Sequence, residues 1–73
     1  MAIRKDVVID FPLPELIRNT MMDTEKAFEE DGEYGPYMNW VDSLDNVCKG
    51  FYAGGVITKK QWDLIMSRYQ LDD

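Results

Sequence analysis

Three stretches of the chain repeat apolar residues at the three- and four-residue steps of an α-helix, and one short stretch does not. Leu13, Leu16, Ile17, Met21, Ala27 and Phe28, with Thr20 and Thr24 on the same face, predict a helix over about 14–30. Pro14 suits the first helical position, where an N–H would be unpaired anyway, and Glu15 is favourable beside the positive end of the dipole. Tyr37, Trp40, Val41, Leu44, Val47, Cys48, Phe51 and Tyr52 give the cleanest stripe, opposite the polar Asn39, Asp42, Asp45, Asn46 and Lys49. This second helix spans about 36–53, opened by Gly35 and Pro36 and closed by Gly54 and Gly55. The third, over about 59–70, has the best local start. Thr58 and Gln61 frame a capping box, Ile57 and Trp62 can staple across it, and Trp62, Ile65, Met66 and Tyr69 form the buried stripe.

Residues 1–13 follow no helical period. Val7, Val8 and Ile9 are a β-branched run, and the prolines at 12 and 14 disfavour helix before them, so an extended arm is expected. A lone strand has three options: to lie as coil on its own helices, to pair with the same arm of a second subunit, or to add to another protein's sheet edge. The short connections predict an all-α fold, a compact three-helix bundle preceded by this arm, in one domain over 1–73.

A core of this size rarely supplies more than about 3–5 kcal/mol of net stability, and small chains usually add a staple. Cys48 is the only cysteine and there is no histidine, which excludes an internal disulfide and argues against zinc. Association is the remaining source of stability, so a homodimer is one form to expect. No apolar run approaches the roughly 18–20 residues that span a bilayer, and the run after Arg4 and Lys5 is too short for a signal peptide. With one unpaired cysteine, the expected compartment is the cytoplasm.

The net charge is −6, unevenly placed. Residues 14–33 carry seven acidic side chains (Glu15, Asp23, Glu25, Glu29, Glu30, Asp31, Glu33) against Arg18 and Lys26, a balance of −5. An acidic chain without a basic stripe is a poor partner for DNA or RNA. The acidic run fails as a calcium loop, because counting from Asp31 puts Pro36 at the sixth position and Asp42 at the twelfth. Cys48 sits on an apolar face and lacks a base, Ser43 and Ser67 have no triad partner, and Asp42 with Asp45 reads as a solubilising pair. Neither Gly32 with Gly35 nor Gly54 with Gly55 follows a strand or carries a P-loop lysine. No catalytic, cofactor or metal residues are expected.

What remains points to contact. Trp40 and Trp62, at regular stripe positions, are expected in the core. Tyr34, Tyr37 and Tyr52, at a stripe edge or in a loop, are better placed for an interface, together with Val7, Val8, Ile9 and Phe11 of the arm. In residues 44–71, Gly55, Val56, Ile57 and Thr58 are followed by Gln61, Trp62 and Asp63, with the helix from Leu44 to Tyr52 before them. This stretch resembles the SHOCT domain, a short helical hairpin at the C-termini of many bacterial proteins, which often has Glu-Phe-Glu at the second motif. The resemblance covers under half of the chain, and the usual lysines of the second helix are missing. It implies a small interaction or oligomerisation module with no catalytic residues to carry over.

Two functional expectations follow. The first is a non-enzymatic protein–protein interaction module that uses the arm and surface aromatics. The alternative is a small acidic inhibitor, of the kind phages and mobile elements encode, that occupies a basic nucleic-acid-binding groove on a target enzyme. Its surface would be Asp23, Glu25, Glu29, Glu30, Asp31 and Glu33.

Overall fold

The C-terminal ends of all three helices are closed by backbone hydrogen bonds, and the third alone has a side-chain cap at its start. A computed structural model describes residues 3–4, 6–32 and 35–69. Among these residues it contains α1 (Glu15–Asp31), α2 (Pro36–Ala53) and α3 (Lys59–Ser67). The all-α three-helix bundle expected from the periodicity is therefore the fold. Pro14 stands one place before α1, as its N-cap, and its carbonyl accepts from the Arg18 amide at 3.1 Å. Pro36 occupies the first turn of α2.

The end of α2 is a complete Schellman turn. Val56 N–H donates to the Phe51 carbonyl at 2.9 Å and Gly55 N–H to that of Tyr52 at 3.0 Å. Gly55 takes φ 77°, a conformation that would strain any residue with a Cβ. Three residues later the capping box forms as its sequence indicates: Gln61 N–H donates to Thr58 Oγ1 at 3.1 Å, and Thr58 N–H to Gln61 Oε1 at 2.9 Å. α3 ends at Ser67, short of the expected 70. Arg68 and Tyr69 turn back instead, their amides bonding the Ile65 and Met66 carbonyls at 3.2 and 3.0 Å.

α1 packs on α2, and α2 packs on α3. Ile17, Tyr37, Leu44, Cys48, Ile65 and Tyr69 are fully buried between them. Two buried threonines of α1 return their hydroxyls to the helix: Thr20 donates to the Leu16 carbonyl and Thr24 to that of Thr20, each at 2.7 Å.

The arm takes the first of its three options. Ile3, Ile9, Phe11 and Leu13 are half-buried against the core, the Arg4 amide donates to the Arg68 carbonyl at 2.9 Å, and Val8 is left exposed. Tyr37 and Trp40 exchange the places expected for them, while Tyr52 is exposed as expected. Tyr37 is fully buried, because it sits at the middle of the α2 stripe and its hydroxyl reaches the Tyr69 carbonyl at 3.1 Å. Trp40 lies at the edge of that stripe and is 37% exposed. Trp62 is half-buried at the α2–α3 contact, with its indole N–H on Asp45 at 2.9 Å. Among the described residues, no helix is long and apolar enough to cross a membrane.

Candidate interaction surface

The buried stripe of α1 (Ile17, Met21, Thr24) separates two flanks of that helix. On one flank the arm and the two residues that follow α3, Arg68 and Tyr69, close over it. Glu25 accepts from Tyr69 Oη at 2.6 Å and lies 3.4 Å from Arg68 Nη2. The other guanidinium nitrogen, Nη1, donates to the Val7 carbonyl at 3.0 Å, so one arginine ties the arm, α1 and the end of α3 together. Burial pushes the Tyr69 phenol well above its usual range, and the adjoining Glu25 carboxylate adds to the shift. Arg68 Nε is buried without a hydrogen-bond partner among the described residues, so the tie is incomplete. Glu25, expected on a solvated acidic face, is thus part of the tertiary scaffold. The reason is its position off the acidic line, on the flank where the tail of α3 lands.

Among the described residues the other flank is bare. Leu16, Asp23 and Glu30 follow one another at steps of seven on α1, with Lys26 beside them. Pro36, Trp40, Ser43, Val47 and Gly50 make the matching line on α2 at steps of four and three. These lines border the α1–α2 seam, and a separate hollow opens toward each end of it. One, of about 330 Å³, is lined by Leu16, Asn46, Val47, Gly50 and Phe51. The other, of about 260 Å³, is lined by Asp23, Lys26, Ala27, Glu30, Asp31, Pro36 and Trp40. The second holds three carboxylates and one ammonium, and the Lys26 Nζ to Glu30 distance of 3.9 Å is its one ion pair among the described residues.

The residues singled out in the sequence are therefore scattered. Val7, Ile9 and Phe11 are half-buried in the arm, Val8 is exposed, and Tyr37 is in the core. Tyr52 is exposed beside Trp62, with ring centroids 5.5 Å apart. Asp23, Glu30 and Asp31 meet in the acidic hollow, whereas Glu29 is exposed and does not line it. Tyr34 and Glu33 lie outside the described residues. Leu16, Trp40, Val47, Gly50 and Phe51 had not been singled out for a surface, although their phase relative to the buried stripe carried the signal.

The reactive side chains are accounted for locally. Burial pushes the Cys48 thiol up to about 11, with the Asp45 carboxylate adding to the effect, so at neutral pH it is a thiol and no nucleophile. Ser67 Oγ donates to the Leu64 carbonyl at 2.7 Å. No group of three or more metal-ligating side chains converges among the described residues. Comparison with protein-family models, with curated proteins and with solved structures gives no match to this chain.

Proposed function

We propose that the chain is a non-enzymatic protein-binding module and that its contact face is the open α1–α2 seam. The observation that carries this reading is the pair of hollows along the seam, with Leu16 and Trp40 exposed beside them. Large apolar side chains beside a groove bordered by charge are the composition of contact surfaces. The arm supports the shift of site away from itself, because Ile3, Ile9, Phe11 and Leu13 are already packed against the core and, among its described residues, Val8 alone is a large exposed apolar side chain. The SHOCT-like hairpin belongs to the same broad class of module and supplies no rival site.

The charge distribution adds a second support. Glu29, Glu30 and Asp31 stand in the last turn of α1, at the negative end of its dipole, with no basic residue there to offset them. Such an arrangement opposes helix stability, so the acids serve something other than the fold. The acidic end also favours a narrower reading, the inhibitor that fills a basic nucleic-acid-binding groove. The two differ in which end of the seam matters.

Affinity capture from a lysate of the native host tests them, comparing the full chain with Leu16→Asn and with the double variant Glu30→Lys, Asp31→Lys. The module reading expects both variants to lose the captured protein while keeping helical circular dichroism. The inhibitor reading expects loss only in the charge variant. Capture that ignores both variants would place the contact elsewhere and overturn the proposal.

A further inference from the structure

Resting on the seam as the contact face, we infer that its occupant is a single amphipathic helix of a different protein, apolar toward one end and carrying lysine or arginine toward the other. The geometry sets the shape. α3 packs on α2, and Arg68 with the arm closes one side of the α1–α2 pair; among the described residues the other side is bare, and a further helix there would complete the bundle. Leu16 and Glu30, which line the two hollows, stand 14 residues apart on α1, about 21 Å along the helix axis, the length of a partner helix of about 14 residues that reaches both. An amphipathic helix laid into such a groove presents anchors at i, i+3, i+4 and i+7.

The chemistry sets the polarity. At one end Leu16, Val47 and Phe51 offer an apolar hollow. At the other, Asp23, Glu30 and Asp31 outnumber Lys26, leaving two uncompensated negative charges beside the exposed ring of Trp40. A lysine or arginine entering there meets carboxylates on one side and an indole face on the other, a pairing that favours cations. Gly50 adds a separate observation. It lies inside α2, where glycine weakens a helix, yet a Cβ built on it meets nothing within 4 Å. The packing of the described residues gives no reason for that glycine, whereas a side chain of a partner descending between Leu16 and Val47 does.

A second copy of this chain fits poorly. A twofold pairing through the same face would set the acidic hollow of one subunit against the apolar hollow of the other, or acid against acid. A distinct partner with basic charge has no such conflict.

The test uses the full chain and synthetic capped peptides of about 16 residues, with leucines at helical spacing in one half and lysines in the other, made in both chain orders. Twins carry glutamate in place of lysine. Amide and indole chemical shifts of the protein are followed at about 50 and about 300 mM salt. The expected result is that one lysine peptide binds at least about tenfold tighter than its glutamate twin at low salt, and that the gap narrows at high salt. The shifts should fall on Leu16, Asp23, Glu30, Trp40, Val47 and Gly50. Gly50→Leu should weaken the lysine peptide while leaving circular dichroism unchanged. No binding, equal binding of the twins, shifts on the arm side, or a concentration-dependent dimer through these residues would each overturn the inference. If capture from lysate depends on Leu16 but the peptides show no charge preference, the seam stands and the partner class is wrong. If capture ignores the seam, both fall.

Discussion

Glu25 and Glu30 lie on the same helix of the same acidic segment, and yet they belong to different parts of the molecule. Glu25 is held between Tyr69 and Arg68, beneath the arm, while Glu30 borders an open hollow and pairs only loosely with Lys26. The difference comes from helical phase. Five residues turn the side chain by about 140° around the helix, enough to move it from the flank facing α3 to the flank facing solvent. The comparison teaches that a charge run is a poor unit of analysis on a helix. One carboxylate of the run is tied into the tertiary structure, while Glu30 stays exposed beside a hollow.

The sharpest way to break this contrast is Arg68→Ala. That change removes the hydrogen bond to Val7, the contact with Glu25 and the stacking of the guanidinium over Tyr69, leaving a half-buried carboxylate with one donor fewer. The expected loss is about 2–3 kcal/mol, discounted for the partial exposure of both partners. For a domain of this size that is a large share of its stability, visible as an early urea midpoint. A loss below about 0.5 kcal/mol would mean that the closed flank is no more structural than the open one.

Buried groups on the core side should also make the chain sensitive to alkali. The Cys48 thiol ionises near 9.0 in the unfolded chain and is raised to about 11 in the fold. A raised folded value stabilises below the unfolded value and loses that contribution as pH rises through the folded one. At about 1.4 kcal/mol per unit, stability should fall by about 2 kcal/mol between pH 9 and 11. Tyr69, raised by burial, acts in the same direction from its ordinary range upward. Urea midpoints at pH 8, 9, 10 and 11 check this, and Cys48→Ala should flatten the portion just above pH 9. A midpoint independent of pH in both proteins would contradict it.

Much of this fold was legible in the sequence, because its signals are local. The glycine turn at 54–55 and the Thr58–Gln61 box depend on a few adjacent residues, and each forms the bonds those residues dictate. The site was less legible. Counting spacings places Tyr37 and Trp40 in one stripe, but only the average direction of that stripe shows Tyr37 at its centre and Trp40 at its border. Side-chain type misled further, since tyrosine suggests an edge and tryptophan a core. The fate of Glu25 depended on where α3 ends, and that rests on contacts between residues more than forty positions apart in sequence. Pattern along one helix cannot contain that information.

A smaller effect sharpens the comparison from the open side. Gly50→Ala should stabilise the chain by about 0.5–1 kcal/mol, since alanine is the better helix former and the added methyl group meets nothing. Thermal unfolding read by circular dichroism measures it. A destabilised variant would show that Gly50 is needed by the fold itself, and would remove it from the argument for a partner.

The smallest effects belong to the acids of the open flank, and there the sign matters more than the size. Asp31 stands at the negative end of the α1 dipole, so Asp31→Asn should raise stability by about 0.3–0.5 kcal/mol. Glu30→Gln gives up an exposed pair with Lys26 but relieves the same dipole, and should change stability by less than about 0.3 kcal/mol. Urea denaturation of each variant, measured beside Arg68→Ala, sets both flanks on one scale. A fold that loses nothing, or gains, when these carboxylates are neutralised does not depend on their charge. If instead Asp31→Asn cost as much as Arg68→Ala, the acids would be structural, and the case for an open contact face would lose one of its two supports.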